Sequence, residues 1–141
     1  MKLTEKVAII TGGGTGIGAA AARVLAAEGA RVSISGRRPE PLQETREAIQ
    51  ASGGTAMAVP GSVASPEDSK RLIAETLNAY GRVDILAGDS DGDLWIYERD
   101  NSGGFGETWR QDGPDESDTG WVGGGEDLDG DGDVEFVVAR A

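Results

Sequence analysis

Two residue types are missing from this 141-residue chain altogether: it has no cysteine and no histidine. Disulfides, thiolate or imidazole zinc sites, Ser-His-Asp triads and Cys-His pairs are excluded with them. Basic residues are scarce beside acidic ones, 13 Lys plus Arg against 25 Asp plus Glu, for a formal net charge of −12. That balance argues against nucleic acid or an anionic membrane surface as a partner. Long apolar runs are lacking too, since none approaches the roughly 18 to 20 residues that span a bilayer. At the start, Glu5 and Lys6 interrupt the stretch where an export signal needs unbroken apolar residues. The expectation is an acidic, cytoplasmic chain with the length of about one ordinary domain.

Aromatics are few, and their placement exposes a break. Of seven, only Tyr80 precedes residue 88; Trp95, Tyr97, Phe105, Trp109, Trp121 and Phe136 follow it. Residues 1–87 hold 10 basic and 9 acidic residues, whereas residues 88–141 hold 3 and 16. Glycine rises from 11 of the first 87 residues to 12 of the last 54. A single fold rarely changes composition so abruptly, so two segments of different origin are expected, 1–87 and 88–141.

The front segment alternates strand and helix. Val7–Thr11 is a short apolar run with β-branched residues, the pattern of a buried strand. Gly16–Glu28 is Ala-rich and places Ile17, Ala21, Val24 and Leu25 on one helical face, with Gly29 as its stop. Arg31–Ser35 and Thr55–Val59 follow as strands, separated by a helix with Pro41 in its first turn that runs to about Ala51. Ser65-Pro66-Glu67-Asp68 combines an N-cap, a first-turn Pro and acids at a helix start. Ile73, Leu77 and Tyr80 continue that helix, and Val83–Ala87 is a fourth strand. Such a β-α-β-α-β-α-β rhythm implies α/β architecture, with a parallel sheet and helices on both faces. The rear segment reads as β-rich, with strands at Leu94–Glu98 and Val134–Ala139 and long acidic turns between.

Thr11-Gly12-Gly13-Gly14-Thr15-Gly16-Ile17-Gly18 lies between the first strand and the first helix. Glycines there let the backbone approach a pyrophosphate, and the helix N-terminus then holds the anion. The strand-turn-helix setting lifts this above an ordinary Gly-rich turn.

The pattern resembles the short-chain dehydrogenase/reductase family, whose loop reads TGxxxGxG, matched by Thr11, Gly12, Gly16 and Gly18. The likeness extends over residues 5–87 and ends in Gly81-Arg82-Val83-Asp84-Ile85-Leu86. It implies a Rossmann-type sheet of order 3-2-1-4, truncated after its first mononucleotide-binding half. It also implies that Gly12, Gly14, Thr15, Gly16, Ile17 and Gly18 line the phosphates and ribose of a dinucleotide. After the second strand the family chooses between cofactors, and Arg37 and Arg38 suit the 2′-phosphate of NADP where an acid would suit NAD. The alternative for this pair is a solvated loop.

The sequence departs from the family twice. Near the end of the third strand the family usually has an Asp that accepts from the adenine amino group; Ser62 stands there, followed by Val63. After the fourth strand the family continues with Asn-Asn-Ala-Gly and later supplies a Ser and a Tyr-x-x-x-Lys pair. Here the chain runs Gly88-Asp89-Ser90-Asp91, and the positions four after Tyr80 and Tyr97 are Asp84 and Asn101. Lys70 is the last lysine. No catalytic residues are assigned, and no dehydrogenase turnover is expected.

Asp127, Asp129, Asp131, Asp133 and Glu135 alternate through a Gly-containing loop, so their oxygens can converge on a hard cation. An EF-hand is rejected, because its twelfth position is Val138 and the flank reads as a strand. The loop resembles the calcium loops of FG-GAP/VCBS repeats, the blades of integrin-like β-propellers. That resemblance implies side-chain ligation by Asp127, Asp129, Asp131 and Glu135 and carbonyl ligation by Asp133; the alternative is an acidic solvated turn. Asp89-Ser90-Asp91-Gly92-Asp93 is a shorter echo that reads as a hairpin turn.

Both resemblances include the hexapeptide Gly81–Leu86, with no linker between them. The expectation is a chimera of two incomplete units, the second at most one or two blades. A four-stranded sheet would leave the outer edge of its fourth strand open; the tail adding a strand there and the tail staying apart both remain open. Three functional readings compete: an NADP-binding half-domain without turnover, a calcium-binding interaction module with a passenger front, and a product without function.

Overall fold

This computed structural model describes residues 1–90, 93–99 and 105–111. Among these described residues, six strands and three helices run in the order β1 (Val7–Thr11), α1 (Gly16–Ala27), β2 (Arg31–Gly36), α2 (Pro39–Ala51), β3 (Thr55–Pro60), α3 (Pro66–Tyr80), β4 (Ile85–Ser90), β5 (Asp93–Arg99) and β6 (Phe105–Gln111). They form one sheet of order β3-β2-β1-β4-β5-β6. The first four strands are parallel, in the expected 3-2-1-4 arrangement.

Period-two alternation divides the core between two faces. Ala8 and Ile10 of β1, Val32 and Ile34 of β2, Ala56 of β3, and Ile85 and Ala87 of β4 share one cluster with Leu25 of α1 and Leu42 and Ile49 of α2. The residues between them, Ile9, Met57, Val59 and Leu86, join Leu72 of α3 and Val83 on the other face. Thus α1 and α2 cover one side and α3 the other.

The structure adds detail to the helices and shifts the start of the fourth strand. In α1, Ala22, Leu25 and Ala26 join the main core with Val24 packed against it, and Ile17, Ala20 and Val24 also pack on Ala21. In α3, Leu72 and Thr76 are buried, and Ile73 and Leu77 remain 46 % and 45 % exposed. Finally, β4 starts at Ile85, because Val83 and Asp84 serve a different purpose. The Asp84 backbone N–H donates to the Val7 carbonyl at 2.8 Å, and its buried carboxylate accepts the Val7 N–H at 2.9 Å. The side chain replaces a ladder bond at the sheet's lower rim.

The open edge of β4 is occupied. β4 pairs antiparallel with β5 from Ile85↔Glu98 to Ser90↔Asp93. β5 in turn pairs antiparallel with β6, which was not expected from the sequence. The register shifts between Ile96 and Tyr97, whose partners are Trp109 and Glu107, so Thr108 breaks the strict alternation. The expected strand Val134–Ala139 and the acidic loop Asp127–Glu135 lie outside the described residues. Among the described residues, no helix is long and apolar enough to cross a membrane.

Candidate functional site

A parallel sheet exposes the carboxyl ends of its strands along one rim, where each strand turns into its helix. At that rim a cavity of about 680 Å³ is bounded by the turns after β1, β2 and β3. Gly12, Gly14 and Thr15 come from the first turn, Arg37 and Arg38 from the second, and Ser62 and Val63 from the third. Thr11, Gly36, Pro41, Leu42, Gly61 and Ala64 complete the wall; they flank the same three crossovers, so strand boundaries are the signal that would have found them. Because the strand order is β3-β2-β1, the cavity runs from the glycine turn across the arginines to the β3 turn.

Gly16, Ile17 and Gly18, expected beside them, are not among the residues that bound the cavity. Gly18 is buried in the first turn of α1, against Gly12. Gly12 and Gly16 hold φ of +66° and +55°, which an L side chain rarely adopts. Ile17 packs on Ala21.

Cross-links hold the three turns in register. The Gly13 N–H donates to the Ser35 carbonyl at 2.9 Å, and the Gly61 N–H to the Gly36 carbonyl at 2.9 Å. From α2, the Thr45 hydroxyl donates to the Gly14 carbonyl at 3.3 Å. The β3 turn is tied down by α3: the Ser62 N–H donates to Asp68 Oδ2 at 2.9 Å, and the Arg71 guanidinium donates to the Pro60 carbonyl.

The electrostatics suit an anion. Thr15, the N-cap of α1, makes no side-chain capping bond, and the first turn of α1 carries no acid. Its leading N–H groups and the positive end of the helix dipole therefore face the glycine turn uncompensated. By contrast, α3 is capped by Ser65, whose hydroxyl accepts the Asp68 N–H at 3.2 Å, and has Glu67 and Asp68 in its first turn. Arg37 and Arg38 are the only charged side chains lining the cavity among the described residues.

The model of the family described as short chain dehydrogenase matches residues 6–89, more than half of the chain. The chain belongs to the short-chain dehydrogenase family. Within that family it is 41 % identical over 91 residues to the short-chain dehydrogenase/reductase homolog YusS of Bacillus subtilis, covering 64 % of this chain and 84 % of YusS. It is 42 % identical over 91 residues to the hydroxynaphthalene reductase arp2 of Aspergillus fumigatus, of which it spans 33 %. Among solved structures, the apo glucose dehydrogenase of Caenorhabditis elegans superposes with a TM-score of 0.60 at 42 % identity, over 64 % of this chain and 40 % of that one. A metagenomic short-chain oxidoreductase in complex with NADP superposes with a TM-score of 0.58 at 36 % identity, over 61 % and 39 %. This short-chain dehydrogenase chain thus spans well under half of those fuller-length relatives. A second model, FG-GAP-like repeat, matches residues 77–138 and overlaps the first across residues 77–89.

Proposed function

We propose that the cavity binds a nicotinamide dinucleotide carrying a 2′-phosphate, NADP(H), in preference to NAD(H). The observation that carries this reading is the charge of the wall: Arg37 and Arg38, with no acid among the described residues that line the cavity. An acid at this turn would pair with a ribose 2′-hydroxyl, whereas guanidinium groups pair with a phosphate. In this reading the backbone of Gly12–Thr15 and the uncapped start of α1 hold the pyrophosphate. Gly16, Ile17 and Gly18 shape that turn, and Ser62 and Val63 bound the base. The NADP complex of the metagenomic relative supports the same cofactor class for this fold.

Binding, rather than hydride transfer, is the function proposed for these residues. No Tyr in the sequence has a Lys four positions on, so the proton-transferring pair of the family has no counterpart here. The test is a titration with NADPH followed by nicotinamide fluorescence, with NADH alongside. Saturable binding at least tenfold tighter for NADPH is expected; equal affinity, or none at millimolar cofactor, overturns the reading.

A second reading rests on the FG-GAP-like match at residues 77–138. Here the chain is a chimera joined at Gly81–Leu86, with a front unit of residues 1–87 and a rear unit of residues 88–141. Asp127, Asp129, Asp131, Asp133 and Glu135 would then hold calcium through oxygen ligands. Trp95, Trp109 and Trp121 all lie in the rear unit, so tryptophan emission reports on it alone. A saturable calcium-dependent change, lost in Asp129→Asn, is the expected result.

A further inference from the structure

We infer that Thr45 of α2, which does not itself line the cavity, is a positioning residue for the anion: it fixes the peptide plane between Gly14 and Thr15. This rests on the dinucleotide reading, in which the glycine turn holds the pyrophosphate.

A threonine inside a helix commonly turns its hydroxyl back onto a carbonyl of the preceding turn. Thr76 of α3 does so; it is buried and donates to the Leu72 carbonyl at 2.7 Å. Thr45, 1 % exposed, departs from that habit. Its hydroxyl donates instead to the Gly14 carbonyl at 3.3 Å, from a residue 31 positions along the chain. The two elements are pressed together at this point. A Cβ on Gly14 would lie 3.1 Å from Pro41 Cβ and 3.2 Å from the Leu42 backbone nitrogen, so the glycine turn rests on the first turn of α2.

The direction of one carbonyl sets the direction of one N–H. A trans peptide is planar, with its C=O and the following N–H pointing opposite ways. No peptide bond among the described residues is cis. Holding the Gly14 carbonyl on Thr45 therefore turns the Thr15 N–H away from that hydroxyl. Gly14 and Thr15 both bound the cavity. Among the described residues the Thr15 N–H has no acceptor. The oxygen of this plane is thus engaged by a buried hydroxyl, and its hydrogen is left for a ligand.

The tie matters because Gly14 has no Cβ to hinder rotation of that plane. Turned over, the plane would put the Gly14 oxygen where the N–H stands, and an oxygen repels a phosphate that an N–H attracts. Thr45 touches no ligand in this arrangement; it acts through Gly14 and Thr15. Its effect belongs to the pyrophosphate, which NADPH and NADH share, and not to the 2′-phosphate at Arg37 and Arg38.

The experiment titrates the full chain and its Thr45→Val variant, which keeps the shape and loses the hydroxyl. The ligands are NADPH, NADH and adenosine 2′-monophosphate, the last with a 2′-phosphate and no pyrophosphate. Thr45→Val is expected to weaken NADPH and NADH by the same factor, about three- to tenfold. Adenosine 2′-monophosphate should stay within about twofold. Thr45→Ser, which keeps the hydroxyl, should bind NADPH within about twofold of the native chain. A tie that served stability alone would lower the melting temperature of Thr45→Val and leave the affinities of the folded protein unchanged; that result overturns the inference. An equal loss for adenosine 2′-monophosphate overturns it too. In the native chain, saturating NADPH should slow hydrogen exchange at the Thr15 amide about tenfold or more. An unprotected Thr15 amide overturns the inference even if Thr45→Val fails to fold. Failure of the native chain to bind NADPH removes the dinucleotide reading and the role of Thr45 with it, whereas NADPH binding that Thr45→Val leaves intact removes the role of Thr45 alone.

Discussion

Gly18 lies so close to Gly12 that a Cβ on Gly18 would sit 2.2 Å from the Gly12 carbonyl oxygen. The obstacle is backbone, so no rotamer change relieves it. This contact presses the first turn of α1 onto the end of β1 and aims the leading N–H groups of the helix at the glycine turn. Gly18→Ala is therefore expected to cost about 1–3 kcal/mol of stability through overpacking and to weaken NADPH at least tenfold. Gly16→Ala meets no atom within 4 Å and carries only the strain of its φ of +55°, about 1–2 kcal/mol. Thermal melts and NADPH titrations of both variants check the ranking, with Gly18→Ala the more damaging to binding.

If the cavity binds NADP(H) as proposed, Arg37 and Arg38 are the residues expected to select it. Both are exposed, so their pairing with a phosphate is partly screened by solvent and salt. Replacing both by Ala should weaken NADPH about tenfold or more while changing NADH by less than about threefold. The NADPH preference should also shrink as salt rises from 50 mM to 500 mM. Equal losses for both cofactors would point to a folding defect instead.

Asp84 ties the lower rim together. Its carboxylate accepts from the Val7 N–H and from the Arg82 Nε, each at 2.9 Å, and it is 2 % exposed. Its hydrogen bond and charge raise the Arg82 guanidinium above its ordinary pKa. Asp84→Ala leaves the Val7 N–H buried without that acceptor and should cost about 2–3 kcal/mol. Asp84→Asn keeps one acceptor and should recover about half of that loss. Urea unfolding measures both, and NADPH affinity should change little in either, because Asp84 lies at the opposite rim from the cavity.

Tyr80, at the end of α3, lies beneath the Arg31 guanidinium, 5.6 Å from its ring centre. Burial raises the Tyr80 phenol above its ordinary value, and the Arg31 charge opposes that rise. The folded state therefore favours the neutral phenol. The resulting stabilisation is complete below pH about 10 and is lost as pH rises through the raised value. Tyr80→Phe should flatten the fall in stability between about pH 9 and 11, as followed by urea unfolding at each pH.

Much of the front of this fold is legible in the sequence because one pattern carries it. Ala8, Ile9 and Ile10 alternate between faces, Gly29 and Gly53-Gly54 mark the turns, and Ser65-Pro66 opens α3 where its composition places it. Gly12, Gly14, Thr15, Arg37, Arg38, Ser62 and Val63 bound the cavity because they flank strand ends that the pattern locates. The limits of β4 are not, since Asp84 trades a ladder bond for a side-chain bond that only the folded rim reveals. β6 escapes because Gly106 and the extra residue Thr108 disturb the alternation that marks a strand. Its pairing with β5 also supplies part of what fixes it, and that information lies outside its own seven residues.

The most direct test of the central claim is a titration of ¹⁵N-labelled chain with NADPH, following backbone amide shifts. Saturable changes are expected to concentrate at Gly12–Gly18, Arg37, Arg38, Ser62 and Val63, with those at Arg37 and Arg38 much reduced when NADH replaces NADPH. Shifts scattered over the surface, or confined to residues 88–141, would contradict it.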